Sequence, residues 1–216
     1  MNKNQIYSLW PIYIGEFYNP EHHEIKDDLI NFFSEYEKKN PKGREGLNKE
    51  NINLYESKYD LHHEKNESLS KLFNFFAKCF LGMSNSTNKK FISEMKEPKA
   101  NFDVKINNSW FIKYNTNGSV LPHDHGRCSW CCVYYVQIGE DATNENGSTY
   151  FLRPYQRRSP EDFGGKFYSS GGNATFKAVE GKMLIWPNFI LHGSNPYKGE
   201  KNRIIVSANA SVDMRN

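Results

Sequence analysis

The chain has 216 residues with 28 Lys and Arg against 25 Asp and Glu, a net charge of +3. That length allows one domain with a proper core, and the lack of any concentrated basic block gives no reason to expect nucleic acid or a membrane surface as partner. No apolar run approaches the ~18–20 residues of a membrane span.

The opening stretch, MNKNQIYSLWPIYIGEFYNP, lacks the apolar core and small-residue cleavage site of a signal peptide. With four Cys and no secretory signal, the expected setting is a reducing cytoplasm with free thiols. Aromatics make up 15% of the chain, so Phe, Tyr and Trp must carry much of the packing. Ile6–Phe17 alternates aromatic and aliphatic residues around Pro11 and predicts an edge strand or a pair of short strands. This aromatic edge is compatible with a homodimer, although core packing is its more ordinary use.

Pro20 and an acidic first turn open a helix near Glu21–Lys39, with Ile25, Leu29, Phe32, Phe33 and Tyr36 on one stripe and NPKG as the stop. Lys42–Asn53 is polar and reads as a loop. Asn66–Ser68 starts a second helix through about Met83, its apolar face being Leu69, Leu72, Phe73, Phe76, Cys79 and Phe80. SNSTNKK reads as a loop. The adjacent pairs His22-His23 and His62-His63 point in different directions on any regular element and read as exposed.

From Asn101 the character changes to short β runs between turn signals: FDVKI, SWFIKYN, CCVYYVQI, STYFLRP, ATFKAV, GKMLIWP and RIIVSANAS. So many runs in so short a span predict a sandwich or barrel. The expected architecture is α+β in a single domain over 1–216. Residues 1–100 would form a helical support and 101–216 a double-stranded β-helix, or jelly roll. YQRRSPEDFGG, with Arg157, Arg158 and the glycine pairs that follow it, reads as a long loop and a candidate lid.

The stretch LPHDHGRCSWCCVYY, Leu121–Tyr135, concentrates the chemistry. In a strand, residues i and i+2 share a face with Cα atoms about 7 Å apart, so His123 and His125 could converge on one ion while Asp124 points away. A single His-x-His is weak by itself. The later stretch GKMLIWPNFILHGSNPYKGEKNRIIVSANAS adds His192 after a strand ending at Trp186-Pro187, a polar loop, and Arg203 at the head of another strand. A third His at a strand end can complete a metal face, and an Arg on the neighbouring strand can fork onto a carboxylate. Alternation puts Arg203, Ile205, Ser207 and Asn209 on one face, where polar side chains suit a wet pocket.

In this order, HDHGRCSWCCVYYVQ followed by GKMLIWPNFILH…RIIVSAN resembles the Fe(II)/2-oxoglutarate oxygenases, particularly their prolyl-hydroxylase-like branch, over roughly Trp110–Ala210. The resemblance implies an enzyme that couples decarboxylation of 2-oxoglutarate to succinate with hydroxylation of an aliphatic C–H. Its substrate would be peptidyl or a small molecule. It implies His123, His125 and His192 as Fe(II) ligands on one face of the ion, leaving open positions for 2-oxoglutarate and O2. Arg203 would hold the distal carboxylate, assisted by Tyr135 and Ser207. Tyr114 would line the pocket, and Arg127, Trp130 and Asn209 would sit on the substrate side.

The usual ligand set of that family is His-x-Asp/Glu…His, and this chain has His125 at the acid position. A carboxylate gives the metal negative charge and a neutral imidazole does not. Three readings stay open: a three-His iron site, a bulged strand that turns Asp124 inward, and a three-His zinc site suited to hydrolysis. A jelly-roll binding protein without the iron chemistry is the non-enzyme alternative. His123-x-His125-x2-Cys128-x2-Cys131 could instead nucleate a structural zinc, although that leaves His192 and Arg203 without a role. A redox pair of Cys128 and Cys131 would lack the helix N-terminus that lowers a thiol pKa.

Overall fold

The chain is described from a computed structural model over residues 10–44, 51–94, 102–139, 141–154 and 173–214. In chain order its elements are β1 (Gly15–Tyr18), α1 (His22–Lys39), β2 (Asn51–Glu56), a 3-10 turn (Leu61–His63), α2 (Glu67–Thr87) and α3 (Lys89–Glu94). There follow β3 (Phe102–His123), β4 (Trp130–Gln137), β5 (Thr149–Phe151), β6 (Ala174–Phe176), β7 (Lys182–Pro187), β8 (His192–Tyr197) and β9 (Arg203–Met214). The strands pair in the order β1-β7-β4-β9-β3-β8-β5-β6, with β2 alongside β3. Every pairing between these strands is antiparallel. The first half of β3 runs against β9 and its second half against β8, so one strand joins the two sheets of a jelly-roll-like barrel.

Alternation along β4 and β9 sorts their side chains. Cys132, Tyr134, Val136, Ile204, Val206, Ala208 and Ala210 face a core shared with the helices. Cys131, Val133, Tyr135 and Ile205 face a second cluster on the inner side. The helices supply what the outer face needs. Ile25, Leu29, Phe33 and Tyr36 recur at helical spacing on α1 and are buried. On α2 the buried stripe includes Leu69, Leu72, Phe76, Cys79 and Phe80, and the Asn66 side chain caps the helix by accepting from the Leu69 N–H at 2.8 Å. Two amphipathic helices therefore back one wall of the barrel.

Phe111 anchors this arrangement. Its ring is fully buried, stacks on Phe33 at 4.3 Å and meets Tyr36 and Tyr55 at 5.5 Å. Phe111→Ala leaves a cavity between β3 and both partners and is expected to cost about 3–5 kcal/mol, read as a lower midpoint in denaturant unfolding.

Several expectations are corrected. Residues 10–14 are not strand, and β1 begins only at Gly15; residues 1–9 lie outside the described residues. The polar Lys42–Asn53 stretch ends in a strand, β2, from Asn51. SNSTNKK is helical on both sides of Asn88: the Thr87 hydroxyl donates back to Met83 O, and Asn88 closes α2 before α3 begins. FDVKI and SWFIKYN are one strand that continues through His123. The polar residues after His192 form β8. His22 and His62 are half-buried, His22 Nδ1 lying 2.7 Å from Tyr134 OH and His62 Nδ1 2.8 Å from Ser109 Oγ. The candidate lid, with Arg157, Arg158, Gly164, Gly165, Gly171 and Gly172, lies outside the described residues.

Candidate metal and cosubstrate centre

Strand pairing delivers two of the three histidines. His123 ends β3, His192 begins β8, and the two are direct cross-strand partners. Side chains directly opposite on a ladder lie side by side, and these imidazole rings are 4.3 Å apart. His125 arrives differently. It stands beyond the strand, where its backbone N–H donates to Asn188 O at 3.0 Å. Its ring then lies 5.1 Å from His123 and 5.0 Å from His192. Strand alternation was therefore the wrong reason for the right neighbour. One ligand nitrogen from each of the three lies within 4.8 Å of the others.

The hydrogen bonds fix which nitrogen is free. His123 Nδ1 lies 2.9 Å from Leu121 O and His192 Nδ1 lies 2.8 Å from Ile190 O. A carbonyl only accepts, so both Nδ1 atoms carry the proton and both Nε2 atoms present lone pairs. His125 Nε2 is 3.2 Å from His192 Nε2. Two ligand nitrogens at right angles on one ion with bonds of about 2.1 Å stand about 3 Å apart, so this spacing fits two adjacent ligands of a metal. Burial, with His123 nearby, pushes His125 down to about 4 and His192 to about 2. At neutral pH both are the uncharged form that binds metals.

Asn209 sits behind this group. Its amide is 3.3 Å from His125 Nδ1, and its Oδ1 is buried without a hydrogen-bond partner among the described residues. Exchanging the amide's O and N, which are assigned from the network, lets Oδ1 accept from Nδ1–H. That gives His125 Nδ1–H an acceptor and aims His125 Nε2 at the other two rings. Asn209→Ala is expected to weaken metal binding by about 10–100-fold, measured by anaerobic Fe(II) titration.

The histidines open on a cavity of about 260 Å³ that also holds Arg203, Tyr114, Ser207 and Thr149. Arg203 is 1% exposed, and its Nε and Nη1 have no hydrogen-bond partner among the described residues. Its guanidinium lies over the Tyr114 ring at 4.1 Å and 5.6 Å from the Tyr135 ring. Among the described residues no ion pair brings a carboxylate to it. A buried cation with free donors is costly unless a ligand completes it, and a carboxylate has the fork geometry to do so. Tyr135 is wholly buried with its OH 2.7 Å from Thr149 Oγ1, and Thr149 in turn lines the cavity.

The other candidates separate. Asp124 is exposed and stands outside the three-nitrogen group. Arg127 is exposed with φ 57°, and its carbonyl accepts from Asn107. Trp130 faces away from the histidines: its indole N–H donates to Ser84 on α2. Cys128 and Cys131 turn their sulfurs to each other at 3.6 Å and do not join the ligand group, contrary to the structural-zinc reading.

One wall escaped the sequence. Arg44, Glu56, Tyr59 and Trp110 line the same cavity. Glu56 is opposite Ile112, on the inward face of β2. It is 4% exposed, accepts from Tyr59 OH at 3.2 Å, and leaves Oε2 without a hydrogen-bond partner among the described residues. Burial raises its pKa, against the pull of Arg44 3.8 Å away. Arg44 lies over the Tyr59 ring, and that ring packs on Trp110 at 4.4 Å. The only sequence signal was NINLYE, where alternation puts a carboxylate at an inward position.

Three imidazoles converge at the mouth of the barrel, and inside it stands a buried Arg with two donors that meet no partner among the described residues, a donor set suited to a non-haem metal and a carboxylate. Residues 108–209 match the family described as "Putative 2OG-Fe(II) oxygenase". Over this region, a little under half of its length, the chain is similar to the 2OG-Fe(II) oxygenases. The fold agrees with that of three solved structures. A Pseudomonas putida prolyl-4-hydroxylase shares 10% identity over 92% of this chain and 91% of its own, with a TM-score of 0.58. HygX from Streptomyces hygroscopicus, solved with nickel, 2-oxoglutarate and hygromycin B, shares 8% over 92% and 82%, also at 0.58. A Trichoplax adhaerens prolyl hydroxylase in complex with a hypoxia-inducible-factor peptide fragment shares 9% over 92% and 83%, at 0.55. No curated protein sequence gives a significant match.

Proposed function

We propose that this oxygenase hydroxylates an aliphatic C–H of a peptidyl or small-molecule substrate, with His123, His125 and His192 holding Fe(II) and Arg203 holding 2-oxoglutarate. The observation that carries this reading is the pairing of free donors on buried Arg203 with three convergent imidazoles in one cavity. When bound, Fe(II) and 2-oxoglutarate supply the oxidising chemistry, with O2 consumed and succinate and CO2 released.

The chain's own residues do the rest. Arg203 forks onto the distal carboxylate, and Ser207, four residues along the same face of β9, offers it a further hydroxyl. The Tyr114 ring steadies the guanidinium from one side. Thr149, backed by Tyr135, fixes the wall opposite. Ile112, Val133 and Ile205 keep the inner cavity apolar and restrict water. The neutral ligand set leaves the ion's full charge in place, which favours binding of an anionic cosubstrate beside it.

The substrate lies along the wall of Arg44, Glu56, Tyr59 and Trp110. A group there that donates a hydrogen bond satisfies Glu56 Oε2, and a planar group stacks on the aromatic pair. The free thiols fit a reducing compartment, and among the described residues no helix is long and apolar enough to cross a membrane.

Anaerobic addition of Fe(II) and then 2-oxoglutarate is expected to give a visible charge-transfer band, and admission of O2 is expected to yield succinate. Tight stoichiometric zinc with no 2-oxoglutarate binding would turn the reading to a three-His hydrolase. A band without succinate under any substrate mixture would leave a binding protein.

A further inference from the structure

Beside the histidines lie two sulfurs that the proposed reaction does not use. Cys128 is half-buried in the turn after His125, and Cys131 is fully buried in β4. Their Sγ atoms are 3.6 Å apart. The other two thiols look elsewhere, since Cys79 and Cys132 both belong to the helix-side core. The turn that carries Cys128 is pinned at its ends: His125 N–H to Asn188 O, Asn188 N–H to Ser129 O, and Ser129 N–H to Ala210 O. Cys131 is the direct cross-strand partner of Asn209, whose amide touches His125.

We propose that Cys128 and Cys131 form a thiol–disulfide exchange site, and that closing their disulfide displaces His125 and weakens the metal centre. The co-reactant is a low-molecular-weight disulfide such as oxidised glutathione. The Cys128 thiolate attacks one of its sulfurs, and the first glutathione leaves as a thiolate that takes up a proton. The Cys131 thiol then gives up its proton and its sulfur attacks Cys128 Sγ. The mixed disulfide breaks and the second glutathione leaves. Two protein S–H bonds become one S–S bond, and one glutathione disulfide is reduced to two thiols.

The order of attack follows from the surroundings. Cys128 is the accessible sulfur, and the hydrogen bond from Cys131 holds its thiol below the usual range. Burial pushes Cys131 up, so it reacts only once its partner's sulfur is presented to it. That hydrogen bond does locally what a helix N-terminus does in other reactive thiols. Bond formation draws the sulfurs from 3.6 Å to about 2.05 Å. Cys131 is fixed in a central strand, so the movement falls on Cys128 and on the short turn that ends at His125.

The test incubates the full chain anaerobically with oxidised glutathione, followed by intact-mass and peptide mapping. The wild type is expected to lose two hydrogens within the peptide that begins after Arg127. Cys132→Ala should behave the same. Cys131→Ala should stop with one glutathione on Cys128, and Cys128→Ser, at a half-buried turn, should not react in this peptide. A wild type that stays reduced, or a loss of two hydrogens that persists in Cys131→Ala, would overturn the pair.

Fe(II) affinity is then compared between reduced and oxidised protein, with about tenfold weakening expected on oxidation and none in glutathione-treated Cys128→Ser. Equal affinities would overturn the link to His125. This half rests on the metal reading above. The two failures are separable, because a chain that holds no iron fails to bind it when reduced, whereas the mass change does not depend on iron.

Discussion

Arg203→Ala is expected to weaken 2-oxoglutarate binding by at least about 30-fold, and by more than a thousandfold at the upper end, while Fe(II) binding stays close to wild type. Removing one partner of a buried, hydrogen-bonded charge pair costs about 2–5 kcal/mol, which converts to those ratios at about 1.4 kcal/mol per decade. The measurement is anaerobic titration of the Fe(II)-loaded chain with 2-oxoglutarate. Arg203→Met is the sharper variant, because it keeps the length of the side chain and removes the charge. Arg203 is a buried cation with two donors that meet no partner among the described residues, so an apolar replacement is expected to leave unfolding stability equal or higher. Lost 2-oxoglutarate binding with undiminished stability marks a binding residue. Unchanged affinity in both variants would remove Arg203 from the site.

His192→Ala is expected to abolish stoichiometric Fe(II) binding, a larger loss than the about 10–100-fold that follows from removing a neighbour of a ligand. His192 is 5% exposed, and its Nε2 faces His125 Nε2 while its Nδ1–H is held by Ile190 O. No described carboxylate or thiol joins the group to replace it. The same titration reads the result, and circular dichroism checks that β8 still pairs. Iron binding that survived with near wild-type affinity would shift the ligand set toward Asp124.

Much of this could be read from the chain, and the reasons differ by element. The α1 and α2 stripes are legible because each buries one face against a sheet, which imposes a helical period on the sequence. The alternation of β9 is legible for the same reason with period two: Arg203, Ile205 and Ser207 turn inward while Ile204, Val206 and Ala208 meet the helices. By contrast, β8 reads GSNPY after its histidine and looks like a loop. Its small residues answer a steric demand from the next strand. A Cβ on Gly193 would stand 2.6 Å from Tyr150 OH, so the strand that carries a ligand cannot carry bulk there. His125 was anticipated as a neighbour of His123, yet what places it is a backbone hydrogen bond to Asn188, which no local pattern announces. Glu56 was missed because a lone acid in a polar stretch has no signature until the partner strand is known.

The three imidazoles are not mounted alike. His123 and His192 are locked to each other by a strand ladder, with each Nδ1 tied to the backbone carbonyl two residues earlier. His125 hangs from a short turn and is steadied by one amide. The centre is therefore a tripod with two welded legs and one adjustable leg. Adjusting to ions of different radius falls to the turn, and the barrel need not breathe to do it. Variation in which metal the chain prefers should accordingly map to Asp124–Ser129 and Asn209, leaving the paired strands as a constant frame.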